Sequence, residues 1–217
     1  MPQYIFFDLD GTLTDSGPGI IQSALYALER MGQPERDVEK IRRTFIGPPL
    51  TDSFSKLYGF TPQQCQQAIT YFREDYNDKG IYRNKPYEGI PELLKQLKAA
   101  GKTLAVSTSK PLPLAERVLE HFALRSYFDQ VCGGSMDETR NRKDLIIQDT
   151  LQAFGLTDRT QAIMVGDRDL DVLGAHKNGL RCVGILYGGY GTRAELEAAE
   201  ADWIAATPAD VGRILLG

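Results

Sequence analysis

The chain has 217 residues, 42% of them hydrophobic and 25% charged, with a formal net charge of -4. That composition is ordinary for a soluble globular protein, and the acidic balance argues against a nucleic-acid-binding surface. No apolar run approaches the roughly 20 residues a membrane helix needs, and because Met1-Pro2-Gln3-Tyr4 enters the first strand directly no signal peptide is expected.

Residues 5–7 (Ile-Phe-Phe) read as a buried strand that stops at Asp8-Leu9-Asp10-Gly11-Thr12. The pattern then changes. Over 17–31, Ile20, Ile21, Ala24, Leu25, Ala27 and Leu28 recur at helical spacing, and 38–46, 50–58 and 62–77 read as further helices. Turn-rich Ser16-Gly17-Pro18-Gly19 and Arg83-Asn84-Lys85-Pro86-Tyr87 bracket this block. At roughly 70 residues it is far longer than a βα crossover requires. It is therefore expected to be an inserted all-helical cap domain over 16–83, a lid for the acidic strand end, with 1–15 and 84–217 forming the core domain. From 102 onward, strands over 103–107, 128–132, 162–165, 181–186 and 203–204 alternate with helices over 113–121, 143–154, 170–178 and 193–199. That alternation predicts an α/β fold, a Rossmann-like parallel sheet with helices on both faces. The loop Gly188-Gly189-Tyr190-Gly191 lacks the spacing of a dinucleotide loop and is expected to be a flexible rim. His121 and His176 fall outside every motif and are expected to be packing or surface residues. Cys65, Cys132 and Cys182 are scattered, with no Cys-x-x-Cys pair, so neither a disulfide framework nor a zinc site is expected and a cytoplasmic location fits.

Alternation along the first strand sends Asp8 and Asp10 off on one side, at the edge where open α/β sheets bind ligands. Two acids so close repel unless a cation sits between them or one holds a proton. A second apolar strand ends in Gly166-Asp167-Arg168-Asp169-Leu170-Asp171. Helix capping accounts for one or two of these acids, not for three beside a glycine. Two acidic strand ends in one parallel sheet make a hard-oxygen site suited to Mg²⁺ with a substrate phosphate. Ser107-Thr108-Ser109-Lys110 ends another strand in hydroxyls and an ammonium, where a phosphate oxyanion could be held. Lys143 opens the helix after Gly133-Gly134 and its polar loop.

Asp8-Leu9-Asp10-Gly11-Thr12-Leu13-Thr14-Asp15, then Thr108, Lys143 and Gly166-Asp167-Arg168-Asp169-Leu170-Asp171, resemble the ordered motifs of haloacid dehalogenase superfamily phosphatases. The resemblance covers essentially the whole chain, because that superfamily commonly carries a helical cap after its first motif. The Thr108-Ser109-Lys110-Pro111 run looks most like the phosphoglycolate phosphatase and 5'-nucleotidase-like branches, although the former commonly have Asn where this chain has Ser109. The resemblance implies a Mg²⁺-dependent phosphatase acting on phosphoglycolate or a nucleoside 5'-monophosphate through an aspartyl-phosphate. Asp8 would be the nucleophile, Asp10 the general acid and base, and Lys143 would hold Asp8 and a phosphoryl oxygen. Thr108, Ser109 and Gly11 would join Lys143 at the phosphate. Asp8, the Asp10 carbonyl and Asp167 would bind the metal, with Asp171 and Thr12 orienting them from behind and Asp169 a further candidate for that part. Arg42, Arg43, Phe45, Ile46 and Tyr76 are the cap's candidate substrate contacts. The implied partner is a small phosphorylated metabolite, with no nucleic acid polymer and no membrane, bound by a monomer or homodimer. A phosphomutase of the same fold is the alternative enzyme. A phospho-acceptor switch module is the alternative from another class, and it predicts a shorter chain without a lid.

Overall fold

The computed structural model describes residues 1–137 and 139–217. It divides into two compact units, Met1–Thr14 with Pro86–Gly217, and Asp15–Lys85. Strand β1 (Tyr4–Phe7) opens the larger unit, and the smaller unit follows as α1 (Gly17–Arg30), α2 (Val38–Phe45), α3 (Leu50–Tyr58) and α4 (Pro62–Asp78). Local chemistry sets these helices. Pro18 stands in the first turn of α1, the Asp37 carboxylate accepts from Lys40 N ahead of α2, and a Thr61–Gln64 capping box opens α4. Gly19 of α1 meets the chain just after α4, where a Cβ would lie 2.0 Å from the Gly80 carbonyl oxygen. Ser23 donates to Asp75 at 2.8 Å beside that approach. The rings of Phe45 and Phe54 stand 5.0 Å apart, and those of Phe72 and Tyr76 5.3 Å, so this unit has an apolar core of its own.

In the larger unit the chain continues through α5 (Ile90–Ala99), β2 (Thr103–Pro111), α6 (Leu112–His121), β3 (Gln130–Gly134) and α7 (Lys143–Ala153). It ends with β4 (Ala162–Gly166), α8 (Asp169–Lys177), β5 (Arg181–Ile185), α9 (Arg193–Ala198), β6 (Trp203–Ala205) and α10 (Pro208–Leu216). The strands form one parallel sheet in the order β3-β2-β1-β4-β5-β6, with helices on both faces. Residues 5–7, 104–106 and 163–165 are all buried, the unbroken apolar runs that a sheet covered on two faces requires. The strand order reverses at β1, the topological switch point where such sheets place their ligands.

Register carries the consequence for the site. Phe7 pairs with Val106 on one side and Val165 on the other. Asp8, Ser107 and Gly166 therefore lie side by side at one level. Three details differ from the sequence expectations. α5 and α10 were not anticipated; Ile90, Leu93, Leu94 and Leu97 pack α5 inward, and Thr207 caps α10 through Asp210 N. β3 starts at Gln130, because Phe128 N still bonds Arg125 O in a short helical turn. β2 runs on to Pro111, with a register shift between Thr108 and Pro111. Among the described residues, no helix is long and apolar enough to cross a membrane.

Candidate active site

Beyond β1 the backbone turns within five residues. The Leu9 carbonyl accepts from Thr12, Leu13 and Thr14 N at 3.3, 2.9 and 3.1 Å, while Gly11 N donates to Thr14 O. Gly11 sits at φ +87°, and a Cβ there would lie 2.5 Å from Asp167 Oδ2. Both the backbone conformation and the closeness of the second acidic loop demand glycine. Asp8 N donates to Val165 O at 2.9 Å, so the first carboxylate is still tied to the sheet as it leaves β1.

Asp8, Asp167 and Asp171, all buried, each bring a carboxylate oxygen within 4.8 Å of the others. Lys143 reaches into this group from the start of α7, its Nζ 2.7 Å from Asp8 Oδ1 and 2.9 Å from Asp171 Oδ1, and it donates to Ser107 O at 3.1 Å. Two glycines make the convergence possible. A Cβ on Gly166 would lie 2.2 Å from Asp171 Cγ, and one on Gly174 would lie 3.0 Å from Lys143 Cγ. Thr12 donates to Asp167 Oδ1 at 3.1 Å, whereas Asp167 Oδ2 is buried with no hydrogen-bond partner. Asp171 Oδ2 accepts from Arg168 N at 3.1 Å and so fixes the start of α8.

Three carboxylates around one ammonium leave an excess of negative charge out of water. Burial raises the Asp8 pKa to about 6; Lys143 pulls against that rise and Asp171 adds to it. Burial, then the charges of Asp171 and Asp8, lifts Asp167 well above the ordinary carboxylate range. Burial works against the Lys143 ammonium, but Asp171 and Asp8 outweigh it and hold Lys143 charged. Hard oxygen donors, one of them unpartnered, and uncompensated charge fit a divalent cation such as Mg²⁺.

Other expected residues fall into separate surroundings. Thr108 is buried, and its hydroxyl works against the rise in the Asp8 pKa; Ser109 is half-buried in the irregular end of β2. The Asp10 carboxylate is bound by Lys110 Nζ, at 3.1 and 2.9 Å to its two oxygens, and does not join the three-carboxylate group. Asp169 accepts from Leu170 N at 2.8 Å, a local contact at the start of α8. In the helical unit, Phe45, Ile46 and Tyr76 are buried, Arg42 pairs with Glu39 at 3.3 Å, and Arg43 is exposed. The glycine loop, expected to be a flexible rim, lies close against the acidic loops at two of its glycines. A Cβ on Gly188 would lie 2.1 Å from Gly11 O, and one on Gly191 1.8 Å from Asp167 O, so the loop backbone is pressed against both acidic loops. Tyr187, just before it, donates to Thr12 O at 3.0 Å. Sequence reasoning missed Tyr187, Gly174 and the pairing of Lys110; the Gly-Gly-Tyr-Gly string was the one signal that could have pointed to this close packing.

A model of the haloacid dehalogenase-like hydrolase family matches residues 5–185, and the chain belongs to that family. It is 40% identical to a 5'-nucleotidase of Pseudomonas aeruginosa, over 97% of this chain and 94% of that protein. It is 38% identical to the tyrosine-protein kinase PtkA of Mycobacterium tuberculosis over 88% of its own length, and spans 64% of that kinase. A solved structure of a "predicted phosphatase" from Clostridium acetobutylicum shares its fold at a TM-score of 0.95, with 39% identity over 100% of this chain and 99% of the other.

Proposed function

We propose that this chain is a Mg²⁺-dependent phosphatase that hydrolyses a small phosphate monoester, a nucleoside 5'-monophosphate before phosphoglycolate, through an aspartyl-phosphate on Asp8. The observation that carries the reading is Lys143 set between Asp8 and Asp171 beside the buried Asp167, with Thr108 adjoining. The order of substrates follows the relative named 5'-nucleotidase, which is similar over almost the full length of both chains.

In this mechanism an Asp8 carboxylate oxygen attacks phosphorus and the ester oxygen leaves with a proton from Asp10. Water then attacks the aspartyl-phosphate, Asp10 takes its proton, and the bond to Asp8 breaks to release orthophosphate. Lys143 and Thr108 hold equatorial phosphoryl oxygens, where the charge of a loose transition state accumulates. Mg²⁺ held by Asp8, Asp167 and the Asp10 carbonyl would supply the charge neutralisation that an anion attacking an anion needs. Asp171 and Thr12 orient that set, with Gly11 and Ser109 lining the phosphate. Arg42, Arg43, Phe45, Ile46 and Tyr76 remain our candidates for substrate choice, with Arg43 the first to test.

The similarity to PtkA gives one competing reading, in which the same phospho-Asp8 passes its phosphoryl group to a tyrosine instead of water. The test is a turnover screen over nucleoside monophosphates, phosphoglycolate and sugar phosphates, with MgCl₂ or with EDTA. Orthophosphate release that requires Mg²⁺ and is lost in Asp8→Asn is the expected result. Equal turnover in EDTA would remove the metal-assisted site. Phosphorylated tyrosine from ATP without phosphate-ester hydrolysis would favour the kinase reading.

A further inference from the structure

Two buried lysines serve different acids in this fold. Lys143 meets Asp8 and Asp171. Lys110 meets Asp10, and the side chains of that pair are only 4% and 15% exposed. The pair joins positions 100 apart in the sequence. It depends on the irregular end of β2, where register shifts between Thr108 and Pro111 and Lys110 N donates back to Thr108 Oγ1 at 3.3 Å. Such an irregularity re-aims a side chain that strict alternation would send elsewhere.

A buried ion pair is weak support for stability, because the cost of taking both charges out of water commonly cancels their attraction. A packed apolar residue would serve the fold of β2 as well. The geometry has a functional feature instead: one ammonium spans both oxygens of Asp10, at 3.1 and 2.9 Å, and so fixes the direction of that carboxylate. It also gives Asp10 a cation of its own, so that Lys143 is left to Asp8 and Asp171.

We propose that Lys110 is the positioning residue for Asp10, holding its carboxylate in the orientation from which it protonates the leaving oxygen. The inference rests on the role given to Asp10 above and adds the residue that sets its aim. As the phosphorus–oxygen ester bond breaks, the proton passes from Asp10 to the departing oxygen, and the carboxylate so formed stays seated on the Lys110 ammonium. Lys110 itself neither gains nor loses a proton.

Leaving-group dependence tests this in the full-length enzyme with saturating MgCl₂. Phenyl phosphate has a poor leaving group that needs protonation, whereas p-nitrophenyl phosphate has a good one that does not. The quantity read is the ratio of kcat/KM on the two esters, which does not change with the fraction of active protein. Asp10→Asn is the reference variant, and general-acid loss should lower its ratio about 100-fold or more. Lys110→Met should lower the ratio in the same direction, by about tenfold or more, and Lys110→Arg should restore part of it. Lys110→Gln is the second variant should Lys110→Met prove insoluble. If Asp10→Asn shifts the ratio while Lys110→Met and Lys110→Gln lose both substrates equally or keep the wild-type ratio, Lys110 is structural and the inference is overturned. If Asp10→Asn itself leaves the ratio unchanged, the role given to Asp10 fails, and that result is distinct.

Discussion

Asp167→Asn fixes one member of the buried trio in a neutral form at little change in volume, and its effect should invert with metal. Asp167 is 1% exposed, its Oδ2 lacks a hydrogen-bond partner, and it faces Asp8 and Asp171. The cost of ionising a carboxylate here can be gauged from Asp8, which burial first and then the charge of Asp171 hold at about 6 against an ordinary 3.8, even with Lys143 beside it. That difference is about 3 kcal/mol against the ionised form. Removing the cost of ionising Asp167 beside Asp8 and Asp171 should therefore stabilise the metal-free protein at pH 7.5, by no more than about 3 kcal/mol, a rise of up to several degrees in melting midpoint for a chain of this size. Magnesium should act the other way. At a hundredfold excess over its Kd a bound ion adds about 2.7 kcal/mol to the wild type, and the variant should lose most of that gain. The assay is thermal unfolding of both proteins at pH 7.5, in EDTA and in MgCl₂. Asp167→Asn should melt higher than wild type in EDTA and gain less from MgCl₂. A variant that melts lower in EDTA, or shows the wild-type magnesium shift, would refute the picture of a charge-crowded cation site.

Acidity should stabilise the metal-free wild type over a limited window. The folded pKa of Asp8 lies above its unfolded value, so its contribution grows as pH falls from 8 through about 6, reaching about 1 kcal/mol at pH 5; melting curves of wild type against Asp8→Asn isolate it, and a difference that stays flat across that range would count against the buried carboxylate. Lys143→Met should have the opposite sign to Asp167→Asn, destabilising by about 3–5 kcal/mol in EDTA because Asp8 and Asp171 lose their shared ammonium; urea unfolding measures it. Gly191→Ala drives a Cβ to within 1.8 Å of the Asp167 carbonyl oxygen. It should cost more than about 2 kcal/mol or displace the second acidic loop and lower kcat; an unchanged melting curve together with unchanged turnover would show that the loop yields freely.

What the sequence made legible follows from the parallel sheet itself. Apolar strands that end in acids declare their own ends, and the shared register of Phe7 with Val106 and Val165 turns three separate strings into neighbours. Asp8, Thr108, Lys143 and Asp167 could thus be read as candidates before any contact was known. Helix α5 was legible too, since Ile90, Leu93, Leu94 and Leu97 keep helical spacing, but it sits directly behind the turn-rich return from the helical block. The contacts that escaped all depend on geometry with no periodic trace. Lys110 meets Asp10 because β2 goes out of register, Gly174 matters through a lysine stem from another helix, and Gly188 and Gly191 matter because two carbonyl oxygens press on them. Each of these is a close approach between chain segments far apart in sequence. A motif names the atoms that do chemistry; the residues that aim them are fixed by how little room the neighbouring backbone leaves. That is why the nucleophile candidate stood out in the first eight residues of the chain, while the pairing of Lys110 with Asp10 did not.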